Sequence, residues 1–269
     1  MNIQTPKKRW GQNFLRDANI GRKIASALQT PPPRLVLEIG PGQGMLTRFL
    51  LETTQRYIGV EIDPGLARAL QSQFGGRPEV QIIQQDILTL PLRHILGLEP
   101  GLHRAVIGNI PFNITSPIIF KLLDLADILN EAVLMVQNEV AERIVSAPST
   151  KDYGLLAIHC QLCARVEKLF RVPARLFHPV PGVDSAVIRF TFLENGRNRV
   201  RDFPLFQQML RSSFQQRRKM LRNSLTGLLS RAHLTKLTVD LSRRPEELSL
   251  SEWIALANHL ARLQNEETE

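Results

Sequence analysis

The first two-thirds of the chain alternates short apolar, β-branched runs with longer amphipathic stretches. "RLVLEI" (34–39), "YIGVEI" (57–62), "VQII" (80–83), "RAVIGN" (104–109) and "AVLMVQ" (132–137) have the length and composition of strands. Helical spacing of apolar residues fills most of the intervals, at 45–53, 65–73 and 116–129. Strand and helix in turn predict βαβ units, and so a parallel sheet with helices on both faces. Two further strands are expected at "EKLFRV" (167–172) and "SAVIRFTF" (185–192). The second alternates, with Ala186, Ile188, Phe190 and Phe192 on one face and Val187, Arg189 and Thr191 on the other.

The pattern then changes. The polar stretch "LENGRNRVRDFP" (193–204) reads as a linker. Beyond it, Phe206, Leu210, Phe214, Leu221, Leu225 and Leu228 recur at steps of three, four or seven, one face of a helix. "SEWIALANHLARL" predicts a last helix with Ser251 as its cap. The expected organisation is an α/β domain over residues 1–195 and a small all-α domain over 196–269.

Composition narrows the class. A hydrophobic share of 43% in 269 residues suits a folded globular protein, and the net charge of +9 favours a polyanionic partner. The two cysteines, Cys160 and Cys163, sit in the apolar, helical "LLAIHCQLCARV" with no second ligand pair, so they read as buried thiols and no metal site is expected. No stretch has signal-peptide or membrane-spanning character, and the chain is expected in the cytoplasm.

The chemistry begins at "EIGPGQG". Gly40, Gly42 and Gly44 follow the first long strand, where a ligand can approach the backbone. Glu61, 21 residues after Gly40, ends the next strand, where a carboxylate holds a ribose. Asp86 ends the third, placed to accept from an adenine amine. The spacing G-x-G-x-G, with Glu38 just before it, suits a cationic nucleoside such as S-adenosylmethionine better than a diphosphate.

"GNIPFNITSP" (108–117) closes the fourth strand of the series. An exocyclic base amine is a poor nucleophile until both its hydrogens are drawn into hydrogen bonds. Two acceptors are at hand: the Asn109 side-chain oxygen and the Ile110 carbonyl, which Pro111 leaves without a neighbouring N–H. Phe112 is placed to stack on an extruded base. The plainer reading is a proline turn with Thr115 capping a helix. Phe177, in "RLFHPVPGVDSAVI", reads equally as the other slice of a base sandwich or as a core residue. With no cysteine in the loop, methylation at a pyrimidine carbon is disfavoured.

Several blocks together resemble a known family. "GQNFL", "EIGPGQGMLT", "GVEID", "QQDIL", "GNIPFNITSPI", "KDYGLLA", "FHPVPGVDSAVIRF" and "FQQRRKMLRNSL" look like the ribosomal RNA adenine N6,N6-dimethyltransferases of the KsgA type, in family order from residue 11 to about 225. Ile110 and Phe112 stand where that family more often has Leu and Tyr. The resemblance implies a class I, Rossmann-like S-adenosylmethionine-dependent methyltransferase domain followed by a small helical domain. It implies S-adenosylmethionine as cofactor, held by Asn13, Leu15, Gly40, Gly42, Glu61, Asp86 and Asn109; Asn13 and Leu15 come from the resemblance alone. The implied substrate is a pair of adjacent adenosines in the 3′-terminal hairpin loop of small-subunit rRNA, in a pre-assembled subunit late in maturation, met by a monomer. Arg211, Arg218 and Arg222 share one helical stripe that reads as a phosphate-binding surface or as an ordinary solvated face. Three other readings remain open here: the sister enzymes of large-subunit adenine methylation, an assembly factor whose methylation is incidental, and a DNA adenine methyltransferase.

Overall fold

The computed structural model describes residues 6–32, 34–98, 101–216, 219–225 and 239–266. It resolves into two compact units, Met1–Ala141 with Arg165–Glu194, and Glu142–Ala164 with Asn195–Glu269. The division expected at 195/196 therefore differs in one respect: residues 142–164, which include the helix Leu155–Cys163, group with the C-terminal unit. Their apolar side chains Ile158, Cys160 and Leu162 are buried, and His159 meets the rings of Phe203 and Phe206 at 6.4 and 6.2 Å.

The first unit is built on a seven-stranded sheet. Its strands are β2 (Arg34–Ile39), β3 (Arg56–Glu61), β4 (Val80–Gln84), β5 (His103–Asn109), β6 (Glu131–Gln137), β7 (Ala164–Val172) and β9 (Ser185–Phe192), in the spatial order β4-β3-β2-β5-β6-β9-β7. The strands from β4 to β6 run parallel, and β9 returns antiparallel to β6. The order reverses between β2 and β5, and in doubly wound sheets ligands bind outside the carboxyl ends of the strands at such a reversal. A second ladder joins β1 (Phe14–Leu15) to β8 (Phe177–His178).

The sequence shows why these elements form. Every residue of β2 is buried, as a central parallel strand covered on both faces requires. Helix α1 (Ala18–Ala25) starts at Asp17, whose carboxylate accepts from the Ile20 N–H. The short α2 (Thr47–Leu50) covers only the middle of the expected 45–53. Helix α3 (Pro64–Phe74) is capped by Asp63, carries Pro64 in its first turn, and buries Leu66, Ala67, Leu70 and Phe74 at helical spacing. In β9, Ala186, Ile188, Phe190 and Phe192 are buried as expected; Val187 is buried too, because it enters the core on the opposite face.

The C-terminal unit corrects three expectations. The single helix face through Phe206, Leu210, Phe214, Leu221 and Leu225 is divided between two helices, Phe203–Gln215 and Leu221–Leu225. Gln216 leaves helical geometry at φ −117°, ψ 43°, and the N–H groups of Leu221 and Arg222 go to the carbonyls of Arg243 and Leu241. Arg211 and Arg222 are exposed but sit on different helices, so they share no stripe; Arg218 and Leu228 lie outside the described residues. The last helix spans Leu250–Glu266, and its cap is Ser249 rather than Ser251. Ser249 Oγ accepts from the Glu252 N–H while the Glu252 carboxylate accepts from the Ser249 N–H at 2.8 Å, a reciprocal box that Ser251, already inside the helix, is placed too late to make. Among the described residues no helix is long and apolar enough to cross a membrane.

One buried acid holds the entry to the sheet. Glu131, 3% exposed at the start of β6, accepts from the Gln29 N–H, the Thr30 N–H and the Thr30 hydroxyl, all between 2.7 and 3.0 Å. Replacing it by Ala leaves those donors without an acceptor. Glu131→Ala is expected to lose about 3 kcal/mol in urea unfolding, and Glu131→Gln, which keeps one acceptor oxygen, distinctly less. An unchanged midpoint for the Ala variant would remove this role.

Candidate active site

The cleft at the strand ends opens to solvent and is walled by the turn after β2, the ends of β3 to β5, and residues 10–15. Gly40 and Gly42 take φ values of 63° and 60°, which glycine adopts without strain. A Cβ on Gly42 would also stand 3.1 Å from the Phe14 ring, so the turn and the N-terminal segment meet there.

Two acids beneath the turn have different work. Glu61, 4% exposed, receives the Gly42 N–H on Oε2 at 3.0 Å and the Asp63 N–H on Oε1 at 2.9 Å. Burial raises its carboxyl above the usual range, against the pull of the Asp63 and Gly42 N–H groups. Glu38 is 1% exposed and lines the cleft. Tyr57 Oη and Thr47 Oγ1 both donate to its Oε2, at 2.6 and 2.7 Å, which leaves Oε1 for a ligand. Burial pushes the Glu38 carboxyl up to about 7, partly offset by Tyr57 and Thr47 and reinforced by the charge of Glu61. Asp86, half-buried at the rim, spends Oδ1 on the Leu88 N–H at 2.9 Å and has Oδ2 left for a donor.

The 108–117 loop is held by two outside contacts and by bonds within itself. The Ile110 N–H bonds the Met135 carbonyl at 3.0 Å. Asn109 donates Nδ2 to the Asn13 carbonyl at 2.9 Å, which turns its oxygen the other way. Thr115 is not a cap: its hydroxyl donates back to the carbonyls of Pro111 and Phe112, at 3.2 and 3.3 Å, because it already lies inside the helix Thr115–Leu123. Those two carbonyls are thus occupied, whereas that of Ile110 has no hydrogen-bond donor among the described residues. Phe112 is partly exposed on the cleft wall. Phe177 is 3% exposed and belongs to the core, as the second of its two readings expects, although it also lines the cleft.

The N-terminal strap that carries the "GQNFL" block is tied down by a contact the sequence does not show. Lys7 Nζ and Gln12 Nε2 both reach the Asp63 carboxylate, at 2.9 and 3.3 Å. Burial alone would raise the Asp63 carboxyl, but Lys7, the Gly65 N–H and Gln12 bring it below its ordinary value. Asn113 packs beside Gly11 of this strap. The N-cap pattern at Asp63 is visible in the sequence, and Gln12 lies in the "GQNFL" block, but nothing local joins Lys7 or Gln12 to residue 63. Among the described residues no cluster of His, Cys, Asp or Glu could hold a metal, and Cys160 and Cys163 are buried, with burial pushing the Cys160 thiol up.

The sequence matches the family described as ribosomal RNA adenine dimethylase over residues 3–262. The chain belongs to that family. It is therefore an S-adenosylmethionine-dependent methyltransferase of ribosomal RNA adenine. It is 46% identical over 252 residues to a "Ribosomal RNA small subunit methyltransferase A" of Chlorobium phaeobacteroides, covering 93% of this chain and 89% of the relative. A protein of the same name from Pseudomonas aeruginosa is 40% identical, covering 96% and 95%. In fold it is similar to a dimethyladenosine transferase from Plasmodium falciparum (TM-score 0.79, 24% identity, 94% and 98% covered). It is also similar to the 23S rRNA methyltransferase ErmE (TM-score 0.67, 28% identity, 92% and 99% covered). The donor set fits the cofactor: carboxylates at Glu61 and Asp86 offer acceptors to ribose hydroxyls and an adenine amine, and Glu38 Oε1 offers a negative charge to a cationic tail.

This arrangement sets a pH dependence. Glu38 is charged above about 7 and neutral below it, so affinity for a cationic ligand should rise as pH increases through 7. Tyr57→Phe removes a donor to the carboxylate and moves that rise to higher pH. Calorimetry at pH 7 is expected to show S-adenosylmethionine bound about tenfold more weakly by the variant, with the gap closing as pH is raised. Equal affinities across the pH range would show that Tyr57 does not govern Glu38.

Proposed function

We propose that this enzyme dimethylates N6 of two adjacent adenosines in the 3′-terminal hairpin loop of small-subunit (16S) rRNA. It would act in the cytoplasm as a monomer on a pre-assembled small subunit, late in maturation. The observation that carries the chemistry is the pair of acceptors, Asn109 Oδ1 and the Ile110 carbonyl, beside the partly exposed Phe112 ring. The small-subunit assignment is supported by relatives at 40–46% identity that bear that name, against 28% for ErmE.

The adenine N6 lone pair is delocalised into its ring. Acceptors that engage both N6 hydrogens in the first transfer, and the one that is left in the second, favour a pyramidal nitrogen and free the lone pair along the remaining direction. Bound S-adenosylmethionine supplies an electrophilic methyl group on a sulfonium. Asn109 and Ile110 hold the amine, Phe112 stacks on the extruded base, worth about 1–3 kcal/mol, and the rigid strand ends hold the approach in line. Asn109 is fit for this because Asn13 fixes which end of its amide faces the cleft. In the C-terminal unit, Arg211 and Arg222 are exposed and are proposed to meet RNA phosphates independently of one another.

Purified subunits incubated with labelled methyl donor test the substrate: label is expected in the small subunit, as N6,N6-dimethyladenosine, and label confined to the large subunit would overturn the reading. Asn109→Ala is expected to lower methyl transfer by about 100-fold or more while subunit binding is retained. Transfer near the wild-type rate would exclude Asn109 as an acceptor.

A further inference from the structure

Three cations at α1 and α2 have no role in the cleft. The Arg22 guanidinium lies 5.1 Å from the centroid of the Phe49 ring, and that of Arg48 lies 5.6 Å from the same ring. Lys23, next along α1, stands 4.0 Å over the ring of Phe170. All three cationic side chains are exposed, and none makes an ion pair among the described residues. Two guanidinium groups on one ring with no carboxylate between them concentrate like charge, which an incoming anion would relieve. The ring faces hold the cations in place, so less side-chain freedom remains to be lost when an anion binds.

This ridge is continuous with the cleft wall. Arg48 Nη2 lies 3.2 Å from the sulfur of Met45, and Met45 lines the cleft. Helix α1 comes close because residue 21 is glycine: a Cβ there would stand 3.1 Å from Met45 Cγ and 3.3 Å from the Phe49 ring. We propose that Arg22, Lys23 and Arg48 form a phosphate-binding ridge for the RNA strand that flanks the target adenosine. This rests on the reading of the substrate as ribosomal RNA, and it places part of the RNA grip on the catalytic unit.

The triple variant Arg22→Gln, Lys23→Gln, Arg48→Gln tests it, with binding to purified small and large subunits measured over a range of KCl concentrations. Removing one cation that neutralises a phosphate should flatten the plot of log affinity against log salt by about 0.7–0.9, so the triple variant should flatten it by roughly two to three. Affinity near 150 mM salt is expected to fall about tenfold or more, with S-adenosylmethionine affinity unchanged. Lys23→Gln alone should flatten the slope by about one, a readout that stands even if the triple variant folds poorly. Unchanged affinity and slope would overturn the ridge, and so would weaker binding with the wild-type slope. If the large subunit proves to be the one bound, and its slope flattens in the same way, the ridge stands and the small-subunit reading falls.

Discussion

The site depends on one carboxylate kept out of water. Glu61 ties the Gly42 N–H, in the cofactor turn, to the Asp63 N–H, at the cap of α3. A buried carboxylate is costly unless its oxygens are engaged, and both are. The arrangement therefore fixes three things at once: the shape of the glycine turn, the start of the helix behind it, and the place of a carboxylate on the cleft wall. Asp63 extends the same chain of bonds outward to Lys7 and Gln12. The turn, the cap and the strap thus form one hydrogen-bonded series rather than separate features.

Glu38 and Glu61 show how close neighbours can serve different ends. Glu61 is held by backbone N–H groups, which do not titrate, so its position is set by the fold. Glu38 is held by two hydroxyls on one oxygen, and its other oxygen opens on the cleft. The first shapes the site; the second leaves a charge whose presence depends on conditions and on the ligand.

Much of this is legible in the sequence because it is local. The strands announce themselves through continuous apolar runs, and the glycine turn, Glu61 and Asp86 through their spacing from strand ends. The 108–117 loop can be read because proline removes an N–H at a known place. What the sequence hides is what depends on distant partners. Nothing near Lys7 or Gln12 points to residue 63, and nothing near Tyr57 says that its hydroxyl ends on Glu38. The helix through Leu221 reads as continuous because periodicity does not register a break when apolar residues on both sides keep the same step. Ser251 and Ser249 are hard to tell apart for a similar reason: both are serines before the same apolar run, and only Glu252, three residues after Ser249, separates them.

The pairing of β1 with β8 has a consequence for synthesis. Phe14 and His178 face each other across that ladder, although most of the catalytic unit separates them along the chain. A nascent chain can lay down the parallel strands and the glycine turn well before residue 178 emerges, but until then the segment around Asn13 has its bonds to Asp63 and Asn109 without the ladder that pairs Phe14 and Leu15. The cleft is completed by its earliest and nearly its latest residues together, so a half-made chain would carry an open groove rather than a working pocket.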